Sequence, residues 1–385
     1  MNTIVSQLPN MELKEKKILM RADLNVPINN GSIEHTHRLE AIKPTLDLIL
    51  EKKGIIFLAS HLGKPKNQEP ELSTKQLIPW FKKQGYTIRF APTLADAQQL
   101  GNTQEPQIIL LENLRFFSGE KERSEKFAYQ LAELADIFVQ DAFGTLHRKD
   151  ASIVLVPTLF SPNSRTIGLL VQEELSHLNK LIEPKHPFTM IAGGGKIADK
   201  LTYALELLDT WDTLLPCPAL VFPLLEAQNK PIGASLSDQE AIPVAKKLLK
   251  QAKEKDKPIL FPTDYLVETH NGDLKNVTQL TNDDKGISIG TQTIDAYKKA
   301  ILSAKTVFYA GLMGFLEQPK TLEAVKELFK AMAQSDSYSV IGGGDSVAAA
   351  QQLNIQNIDW LSTGGGATLA YITGHQLPGL QPFIT

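Results

Sequence analysis

The chain has 385 residues, 42% of them hydrophobic and 22% charged, which is typical of globular domains with sizeable cores. This length favours two domains, and the formal net charge of −3 argues against a protein that binds nucleic acid or anionic membranes through bulk charge. The single cysteine, Cys217, excludes an internal disulfide and has apolar neighbours, so a buried, unreactive thiol is favoured over a nucleophile. Because we find neither a signal-peptide pattern nor an apolar run of membrane-spanning length, we expect a cytoplasmic protein.

Short apolar segments alternate with longer amphipathic ones along the whole chain, which is the pattern of an α/β protein. In the first half, the predicted strands are Lys17–Asp23, Gly54–Ala59, Tyr86–Phe90, Gln107–Glu112, Asp136–Gln140 and Ser152–Val156. Apolar residues at helical spacing predict helices at His37–Glu51, Thr74–Gln84 and Ser124–Leu134.

A stretch rich in Pro, Ser and Asn, Pro157–Arg165, marks the predicted domain boundary. The next segment, Thr166–Ile182, has helical spacing and could join two lobes rigidly, although an ordinary surface helix is the commoner meaning of such a pattern. The predicted strands of the second half are Phe188–Ala192, Thr213–Leu215, Pro258–Pro262, Thr306–Tyr309, Tyr338–Ile341 and Asp359–Leu361. The predicted fold is therefore α/β, with two doubly wound, Rossmann-like parallel-sheet domains joined by a hinge helix.

Basic and polar residues follow four predicted strands of the first half. The loops concerned are Arg21–Asn25, Ser60–Pro65, Leu111–Arg115 and Asp141–Arg148, and Arg38 begins the first helix. Taken singly, each Arg or His is more often a solvated or ion-paired surface group. Because the carboxyl ends of parallel strands share one edge, the set predicts a basic patch for a small, doubly anionic substrate.

Three glycine clusters in the second half each follow a predicted strand and precede a helical pattern: Gly193–Gly195, Gly342–Gly344 and Gly364–Gly366. A tight turn without a ligand is the alternative for any one of them. Three such turns on one sheet edge can converge on a polyphosphate, which helix N-termini attract. The site is not a Walker A loop, because no GxxxxGK[ST] is present.

Charged residues accompany these turns. Lys196 and Lys200 are four residues apart, and we expect them to share one helix face. Asp345 and Ser346 are N-cap residue types before a helix that starts at Val347, and Asp345 is the candidate ligand for Mg²⁺, with plain capping as the alternative. A basic lobe and a polyphosphate lobe that close on a hinge would suit phosphoryl transfer with water excluded.

These segments resemble phosphoglycerate kinases over essentially the whole chain, in order. The matching motifs are Arg21–Pro27, Ala59–Gly63, Leu110–Arg115, Asp141–Thr145, His147–Arg148, Gly193–Lys200, Gly342–Ser346, Ser362–Gly366 and Leu377–Gly379. The resemblance implies reversible transfer of the acyl phosphate of 1,3-bisphosphoglycerate to ADP, which gives ATP and 3-phosphoglycerate, with Mg²⁺ as cofactor. It also implies a monomer that uses neither nucleic acid nor a membrane.

The resemblance further implies a phosphoglycerate-binding domain over residues 1–165, an inter-domain helix over 166–182, a nucleotide-binding domain over 183–366 and a tail, 367–385, that returns to the first domain. The residues it assigns to the phosphoglycerate are Arg21, Asp23, Asn25, Arg38, His61, Lys64, Arg115, His147 and Arg148. Those it assigns to ATP or ADP are Lys196, Lys200, Gly290, Glu317, Gly342, Gly343, Gly344, Asp345, Ser346, Gly364 and Gly365. Arg38, Lys196 and Lys200 are the predicted catalytic residues, and Asp345 is the predicted metal ligand.

Several positions depart from the family pattern. Lys64 stands where the family has Arg, which keeps the charge but loses the bidentate fork. Asp150 replaces a His of the basic patch and brings negative charge toward an anion. Ala310 lacks the amide that would bond the nucleotide phosphates, a loss of about 1–3 kcal/mol, and Leu312 replaces a Pro in the same segment.

Two alternatives to an active kinase stay open from the sequence. A divergent family member that only binds its ligands is favoured by the departures and opposed by the retained Arg38, Lys196, Lys200 and Asp345. A nicotinamide-dependent dehydrogenase is the alternative from fold class alone, but G-x-G-x-x-G is missing after the first predicted strand.

Overall fold

In this computed structural model, residues 7–29, 31–103 and 105–384 are described. The chain divides into two compact units. Unit 1 extends to Ser176 and includes the chain from His375 onward, and unit 2 comprises His177–Gly374. Each unit is built on a parallel sheet, so the predicted α/β class is confirmed. Across these described ranges, no helix has both the length and the apolar character needed to cross a bilayer.

Unit 1 has a six-stranded sheet in the order β5-β6-β4-β1-β7-β8 and a two-stranded antiparallel ribbon, β2-β3. All neighbours in the larger sheet are parallel. The strands are β1 (Lys17–Ala22), β2 (Ile28–Asn29), β3 (Ser32–Ile33), β4 (Ile55–Ala59), β5 (Ile88–Ala91), β6 (Ile108–Leu111), β7 (Ile137–Asp141) and β8 (Arg165–Ile167). The central strands β4, β6 and β7 are buried along their whole length, as expected of a parallel sheet covered on both faces.

The helices of unit 1 form where apolar residues recur at helical spacing. They are α1 (His37–Ala41), α2 (Lys43–Glu51), α3 (Ile78–Lys83), α4 (Leu94–Leu100), α5 (Ser118–Glu122), α6 (Glu125–Ala132), α7 (Ala151–Val154) and α8 (Leu169–Ile182). Ser124 caps α6 by accepting the amide of Phe127 at 3.4 Å. The division between the two units falls inside α8.

The sheet order places the four predicted basic loops side by side. Strands β6, β4, β1 and β7 are consecutive neighbours, and their carboxyl ends are Leu111, Ala59, Ala22 and Asp141. Because all four strands run in the same direction, the loops that follow them lie along one edge of the sheet. The predicted convergence of these loops is therefore confirmed.

Unit 2 has a five-stranded parallel sheet in the order β10-β9-β14-β15-β16 and a three-stranded antiparallel sheet, β12-β11-β13. The strands are β9 (Phe188–Ala192), β10 (Thr213–Pro216), β11 (Tyr265–Glu268), β12 (Leu274–Val277), β13 (Lys285–Ile289), β14 (Thr306–Ala310), β15 (Tyr338–Gly342) and β16 (Trp360–Ser362).

The helices of unit 2 complete three strand–glycine–helix turns. They are α9 (Ile197–Glu206), α10 (Pro218–Glu226), α11 (Ile242–Glu254), α12 (Thr291–Ser303), α13 (Glu323–Gln334), α14 (Gly344–Gln352) and α15 (Gly366–Ile372). The predicted glycine clusters connect β9 to α9, β15 to α14 and β16 to α15. Since these strands belong to one parallel sheet, the three turns share its carboxyl edge, as predicted.

Two predicted strands are wrong. Ser152–Val156 lies in α7 and a following 3₁₀ turn, Val156–Leu159. Its β-branched residues give it the composition of a buried strand, but the backbone amide of Ser152 donates to Glu120, and Pro157 is the second residue of the 3₁₀ turn. Pro258–Pro262 forms only an isolated bridge between Leu214 and Ile259, because prolines at both ends cannot donate to a longer ladder.

Two boundaries differ from the prediction, and one sheet is additional to it. The helix expected from Thr166 starts at Leu169, because Arg165–Ile167 forms the edge strand β8 beside β7. The N-cap of α14 is Gly343, so Asp345 and Ser346 lie in the first helical turn and are not N-cap residues. The antiparallel sheet of unit 2 is not predicted, because its strand β12 is mostly polar and lacks the alternation of apolar and polar residues that marks a strand.

Candidate active site

The loop after β1 organises the anion side of unit 1. Asp23 Oδ2 lies 3.2 Å from Arg38 Nη1, which also donates to the carbonyl of Asn25 at 3.0 Å. Asn25 Oδ1 accepts the amide of Gly63 at 2.8 Å and so ties this loop to the loop after β4. The Arg38 side chain keeps 27% of its surface exposed, so its guanidinium can still meet a ligand. Three predicted substrate residues, Asp23, Asn25 and Arg38, are therefore brought together.

Arg21 and His61 form a buried pair beneath this loop. They are 1% and 2% exposed, and Arg21 Nη2 lies 3.3 Å from His61 Nδ1. Burial, together with the charges of Arg21 and Arg148, holds the pKa of His61 well below its ordinary value. The imidazole is therefore neutral at physiological pH. Arg21 is buried, and its Nε, Nη1 and Nη2 atoms all meet protein atoms; its assignment to the phosphoglycerate stays a prediction.

Arg115 brings the loop after β6 into the same site. Its Nη1 donates to the carbonyl of Gly63 at 2.5 Å, and its Nη2 lies 4.0 Å from Asp150 Oδ2. The side chain of Arg115 is 6% exposed and that of Asp150 is 18% exposed. Asp150, which stands where the family has a histidine, is thus an acidic partner of Arg115, one of the predicted anion-binding residues.

The basic cluster of unit 1 consists of Arg21, Arg38, His61, Arg115 and Arg148. Arg148 is half-buried and close enough to lower the pKa values of both Arg21 and His61. Two further predicted residues, Lys64 and His147, lie exposed in the loops that carry the cluster. The carboxyl edge of the sheet therefore concentrates cations in a protein of negative net charge.

A cavity of about 390 Å³ opens at the carboxyl edge of unit 2. Its apolar wall includes Pro218, Ala219, Phe222, Ile287, Leu312 and Phe315. Its polar lining includes Gly194, Gly195, Glu317 and Asp345, four of the residues from the predicted turns and nucleotide set. The apolar wall suits a flat ring, and the polar end suits phosphates and hydroxyl groups. The wall escaped prediction because its residues come from separate segments that share no motif.

The turn after β9 brings two backbones unusually close. The amide of Gly193 donates to the carbonyl of Ala310 at 2.9 Å, and a Cβ on Gly311 would lie 2.6 Å from Gly193 backbone atoms. A Cβ on Gly193 would lie 2.1 Å from Cys217 Cβ. Residues 193 and 311 must therefore be glycines, because neighbouring atoms leave no room for a Cβ at either position. Cys217 is buried, as predicted, and burial raises the pKa of its thiol.

Lys196 occupies the N-cap position of α9 in the left-handed region, with φ 56° and ψ 63°. This conformation is rare for a residue with a side chain and is concentrated at functional sites. Lys196 consequently lies outside the helix, so the prediction that it shares a helix face with Lys200 is wrong. Burial lowers the pKa of the half-buried Lys200, opposed by the nearby carboxylates of Asp199 and Asp345.

After the turn that follows β15, Asp345 is exposed and Ser346 is buried. Gly343 has φ 96°, a conformation that favours glycine, and Gly342 and Gly344 flank it. Asp345 is exposed and lines the cavity. Ser346 is buried, and its hydroxyl accepts the amide of Gly311 at 3.0 Å and donates to the carbonyl of Gly311 at 2.5 Å. Its side chain therefore joins α14 to the end of β14.

Six predicted nucleotide-binding glycines are not among the described residues that line the cavity: Gly290, Gly342, Gly343, Gly344, Gly364 and Gly365. Gly365 is the N-cap of α15, and the amide of Gly364 donates to Ser362 Oγ at 3.3 Å. Gly290 is the N-cap of α12, where a Cβ would lie 2.3 Å from the Asp264 carboxylate. Packing against Asp264 therefore explains why residue 290 is a glycine. Gly364 and Gly365 lie at the carboxyl edge of the sheet, because they directly follow β16.

Comparisons with known proteins agree with this arrangement. The family described as "Phosphoglycerate kinase" matches residues 8–375. The "Phosphoglycerate kinase" of Finegoldia magna is 35% identical, with 97% of this chain and 98% of that protein covered, and that of Clostridium tetani is 38% identical over 97% and 96%.

Solved structures give the same result. The "Structure of phosphoglycerate kinase from Coxiella burnetii" matches with a TM-score of 0.82 and 31% identity. The phosphoglycerate kinase of Pyrococcus horikoshii matches with a TM-score of 0.87 and 25% identity. Each match covers 98% of both chains. On its sequence motifs, its two parallel-sheet units and these matches, the chain belongs to the phosphoglycerate kinase family.

Proposed function

We propose that this protein transfers the acyl phosphate of 1,3-bisphosphoglycerate to ADP, giving ATP and 3-phosphoglycerate, and that it also runs the reverse reaction. The observation that carries the proposal is the pairing of two sheet edges in one chain. One edge gathers the basic cluster, and the other carries three glycine turns beside a cavity of about 390 Å³ that Gly194, Gly195 and Asp345 help to line. No observation in the structure favours the alternative of a family member that only binds its ligands.

The basic cluster would hold the phosphoglycerate. Arg38 and Arg115 offer guanidinium forks that match carboxylate and phosphate oxygens, and the neutral His61 offers a hydrogen bond in a buried setting. Asp23 and Asn25 fix Arg38 from one side at 3.2 and 3.0 Å. Such fixed donors need little reorganisation when charge develops on the reacting groups.

The cavity of unit 2 would hold ADP or ATP. The base would lie on the apolar wall beside Phe222, and Glu317 would meet the ribose hydroxyls. The phosphates would lie along the amides of the glycine turns at the N-termini of α9, α14 and α15. Lys196 and Lys200 add two cations to that edge.

Asp345 is suited to Mg²⁺ because its exposed carboxylate adjoins the glycine turn that ends β15. Magnesium sites in phosphotransferases commonly use one or two carboxylates with substrate phosphates, so a single carboxylate suffices. Among the residues that the structure describes, no group of three or more His, Cys, Asp or Glu side chains forms a metal site. When bound, the ion would neutralise charge on the nucleotide phosphates.

The transfer itself needs positioning more than covalent chemistry. The acyl phosphate is already activated, so no enzyme nucleophile or general base is required. Arg38, Lys196 and Lys200 would stabilise the equatorial oxygens of the moving phosphoryl group. The two units must come together on their ligands so that the groups lie in line and water is excluded. We further propose that the enzyme works as a cytoplasmic monomer.

A coupled assay with Mg-ATP and 3-phosphoglycerate tests the proposal. We expect turnover by the purified protein and at least a hundredfold loss in Arg38→Ala, because a charged donor to the transferring group contributes about 3 kcal/mol or more. Lys320→Ala, which removes an exposed cation from unit 2, serves as the matched control and should keep full turnover. Turnover no higher in the unmodified protein than in Arg38→Ala would leave only a binding function.

A further inference from the structure

A buried hydrogen-bond relay runs beneath the basic cluster of unit 1. Arg21 Nε donates to Ser152 Oγ at 2.9 Å, and Ser152 Oγ donates to Glu120 Oε1 at 2.6 Å. The amide of Ser152 also donates to Glu120 Oε2 at 2.9 Å. Arg21, Ser152 and Glu120 are 1%, 2% and 0% exposed. The relay was not predicted, because Ser152 falls in a segment expected to be a strand and Glu120 belongs to no motif.

The hydrogen bonds of the relay can be donated in only one direction, from Arg21 to Ser152 and from Ser152 to Glu120. A guanidinium has only donors, so Ser152 Oγ must accept from Arg21 and can pass its single proton only to Glu120. Burial raises the pKa of Glu120, whereas Arg21 and the two hydrogen bonds from Ser152, one at each oxygen, act in the opposite direction and favour the carboxylate. The charges of Arg21 and Glu120 therefore compensate each other in the interior, where an unpaired charge would be costly.

The other end of Arg21 determines the state of His61. Arg21 Nη1 donates to the carbonyl of Ala22, and Arg21 Nη2 lies 3.3 Å from His61 Nδ1. Since Arg21 can only donate, Nδ1 must be the unprotonated nitrogen of His61. The proton of the neutral ring is then on Nε2. That atom is buried and has no partner in the part of the chain that the structure describes.

Burial first, and then the surrounding charges, lower the pKa of His61 and keep it from becoming a cation. The charged groups that face it are Arg21, Arg148, Arg38 and Lys121, all of them positive. Glu120, Asp23 and Asp150 act on Arg21, with Glu120 the strongest of the three, and stabilise its charge. A buried, unpartnered N–H donor among cations is suited to one kind of group, a ligand oxygen that accepts and carries negative charge.

We propose that Glu120 and Ser152 are positioning residues that hold Arg21 and, through it, fix His61 as the neutral tautomer whose Nε2–H binds an oxyanion of the substrate. The identity of that substrate as 3-phosphoglycerate rests on the proposed function. Neither Glu120 nor Ser152 meets the substrate in this proposal, since both are buried behind Arg21.

The test joins a spectroscopic and a kinetic measurement on the full-length protein. Imidazole ¹⁵N chemical shifts at pH 7, without ligand, should show His61 protonated at Nε2 and unprotonated at Nδ1. In Ser152→Ala and in Glu120→Gln, we expect mixed tautomers or partial protonation of His61. We also expect the KM for 3-phosphoglycerate to rise about tenfold in both variants, with kcat changed less than twofold. Ser152→Thr keeps the hydroxyl and should restore the single tautomer and most of the affinity.

Ser73→Ala is the matched control for Ser152→Ala. It removes a hydrogen bond of the same kind, from Ser73 Oγ to Glu112 Oε2 at 2.7 Å, in the same unit. Glu112 also accepts from the amides of Thr74 and Asn113, so this pair belongs to another network. The control should leave the His61 spectrum unchanged.

Three results would overturn the relay. They are a proton on Nδ1 of His61 in the unmodified protein, an unchanged His61 spectrum in folded Ser152→Ala and Glu120→Gln, and equal changes in KM from Ser152→Ala and Ser73→Ala. The spectrum needs no turnover. An inactive protein with the expected His61 tautomer would therefore count against the proposed function and not against the relay.

Discussion

At the scale of single residues, Asp150 has the most direct effect on charge at the anion site. Its Oδ2 lies 4.0 Å from Arg115 Nη2, and its charge also acts on Arg21. The carboxylate therefore competes with an anionic ligand for the guanidinium of Arg115 and repels that ligand directly. If the cluster holds the phosphoglycerate, as proposed above, both effects weaken its binding relative to a neutral residue at this position.

Asp150→Asn should accordingly lower the KM for 3-phosphoglycerate by about fivefold, since removing one charge near the protein surface changes the interaction by about 1 kcal/mol. We expect the KM for ATP to stay unchanged. The measurement is initial-rate kinetics at fixed ionic strength. Asp136→Asn is the control, because Asp136 lies at the amino end of β7, on the opposite sheet edge, and Asn keeps the acceptor for the Lys17 amide. Equal effects from the two variants would contradict the local explanation.

The sequence indicates which residues lie at the carboxyl edge of unit 1 better than how deeply each of them is buried. Asp23, Arg38 and Arg115 could be predicted, since each lies just after a strand or at the start of a helix that follows one. The burial of Arg21 could not, because exposure depends on the packing of α5 and α7 over β1. The same packing creates the relay through Glu120 and Ser152, whose members are far apart in the chain.

At the scale of single elements, the start of α8 depends on a buried acid. Asp141, the last residue of β7, accepts the amide of Val171 at 3.2 Å through Oδ1. Its Oδ2 has no partner within the described residues. Burial raises the pKa of Asp141 to about 7, although hydrogen bonds from Thr45 and the helix amides act in the opposite direction. Burial therefore outweighs the attraction between a carboxylate and a helix N-terminus.

The raised pKa of Asp141 predicts a stability that falls with increasing pH. Below the unfolded pKa of about 3.9, both states are protonated and the contribution is fully present. Between about 4 and 7, only the native state binds the proton, so the free energy of unfolding decreases as pH rises, by up to about 4 kcal/mol in all. Above pH 7 the contribution is lost.

Asp141→Asn should remove this dependence, because the amide keeps an acceptor for Val171 and has no proton to lose in this range. We expect urea unfolding to show a higher free energy for the variant than for the unmodified protein at pH 8, and a smaller change between pH 5 and pH 8. Asp136→Asn, at the other end of β7, should retain the unmodified slope. Identical slopes in all three proteins would mean that Asp141 is not the group responsible.

Strands and helices can be predicted where the apolar pattern is long and unambiguous, and their ends are predicted less well. The buried strands β1, β4, β9 and β14 and helix α6 follow directly from apolar spacing. The segment Ser152–Val156 could not be assigned correctly, because its composition fits a strand and only contacts with α5 select a helix. Helix α14 begins at Gly344, three residues before the predicted start at Val347. Its N-cap, Gly343, has no side chain, so the usual N-cap residue types do not mark this start.

At the scale of the whole molecule, the chain enters unit 1 twice. After Gly374 it leaves unit 2, and the segment from His375 onward belongs to unit 1. The amide of Gly379 donates to the carbonyl of Leu146 at 2.9 Å, and the Phe383 ring stacks on Phe138 with centroids 6.2 Å apart. The returning segment, through Phe383, therefore forms part of the core beside β7.

Phe383→Ala tests this dependence. Phe383 is fully buried, so its truncation should lower the stability of unit 1 by about 3–5 kcal/mol through lost transfer energy and the cavity left behind. Native-state hydrogen exchange separates the units, since β1 amides report on unit 1 and β9 amides report on unit 2. We expect faster exchange in β1 and an unchanged rate in β9.

Gln381→Ala is the control for Phe383→Ala, because Gln381 is exposed in the same short 3₁₀ turn and its truncation should leave both rates unchanged. Acceleration in β9 equal to that in β1 would mean that the two units unfold as one cooperative body. An unchanged rate in β1 would mean that the tail adds nothing to the unit on which it packs. Only selective acceleration in β1 fits a tail that completes unit 1, and it would make the first unit's anion site dependent on the last residues of the chain.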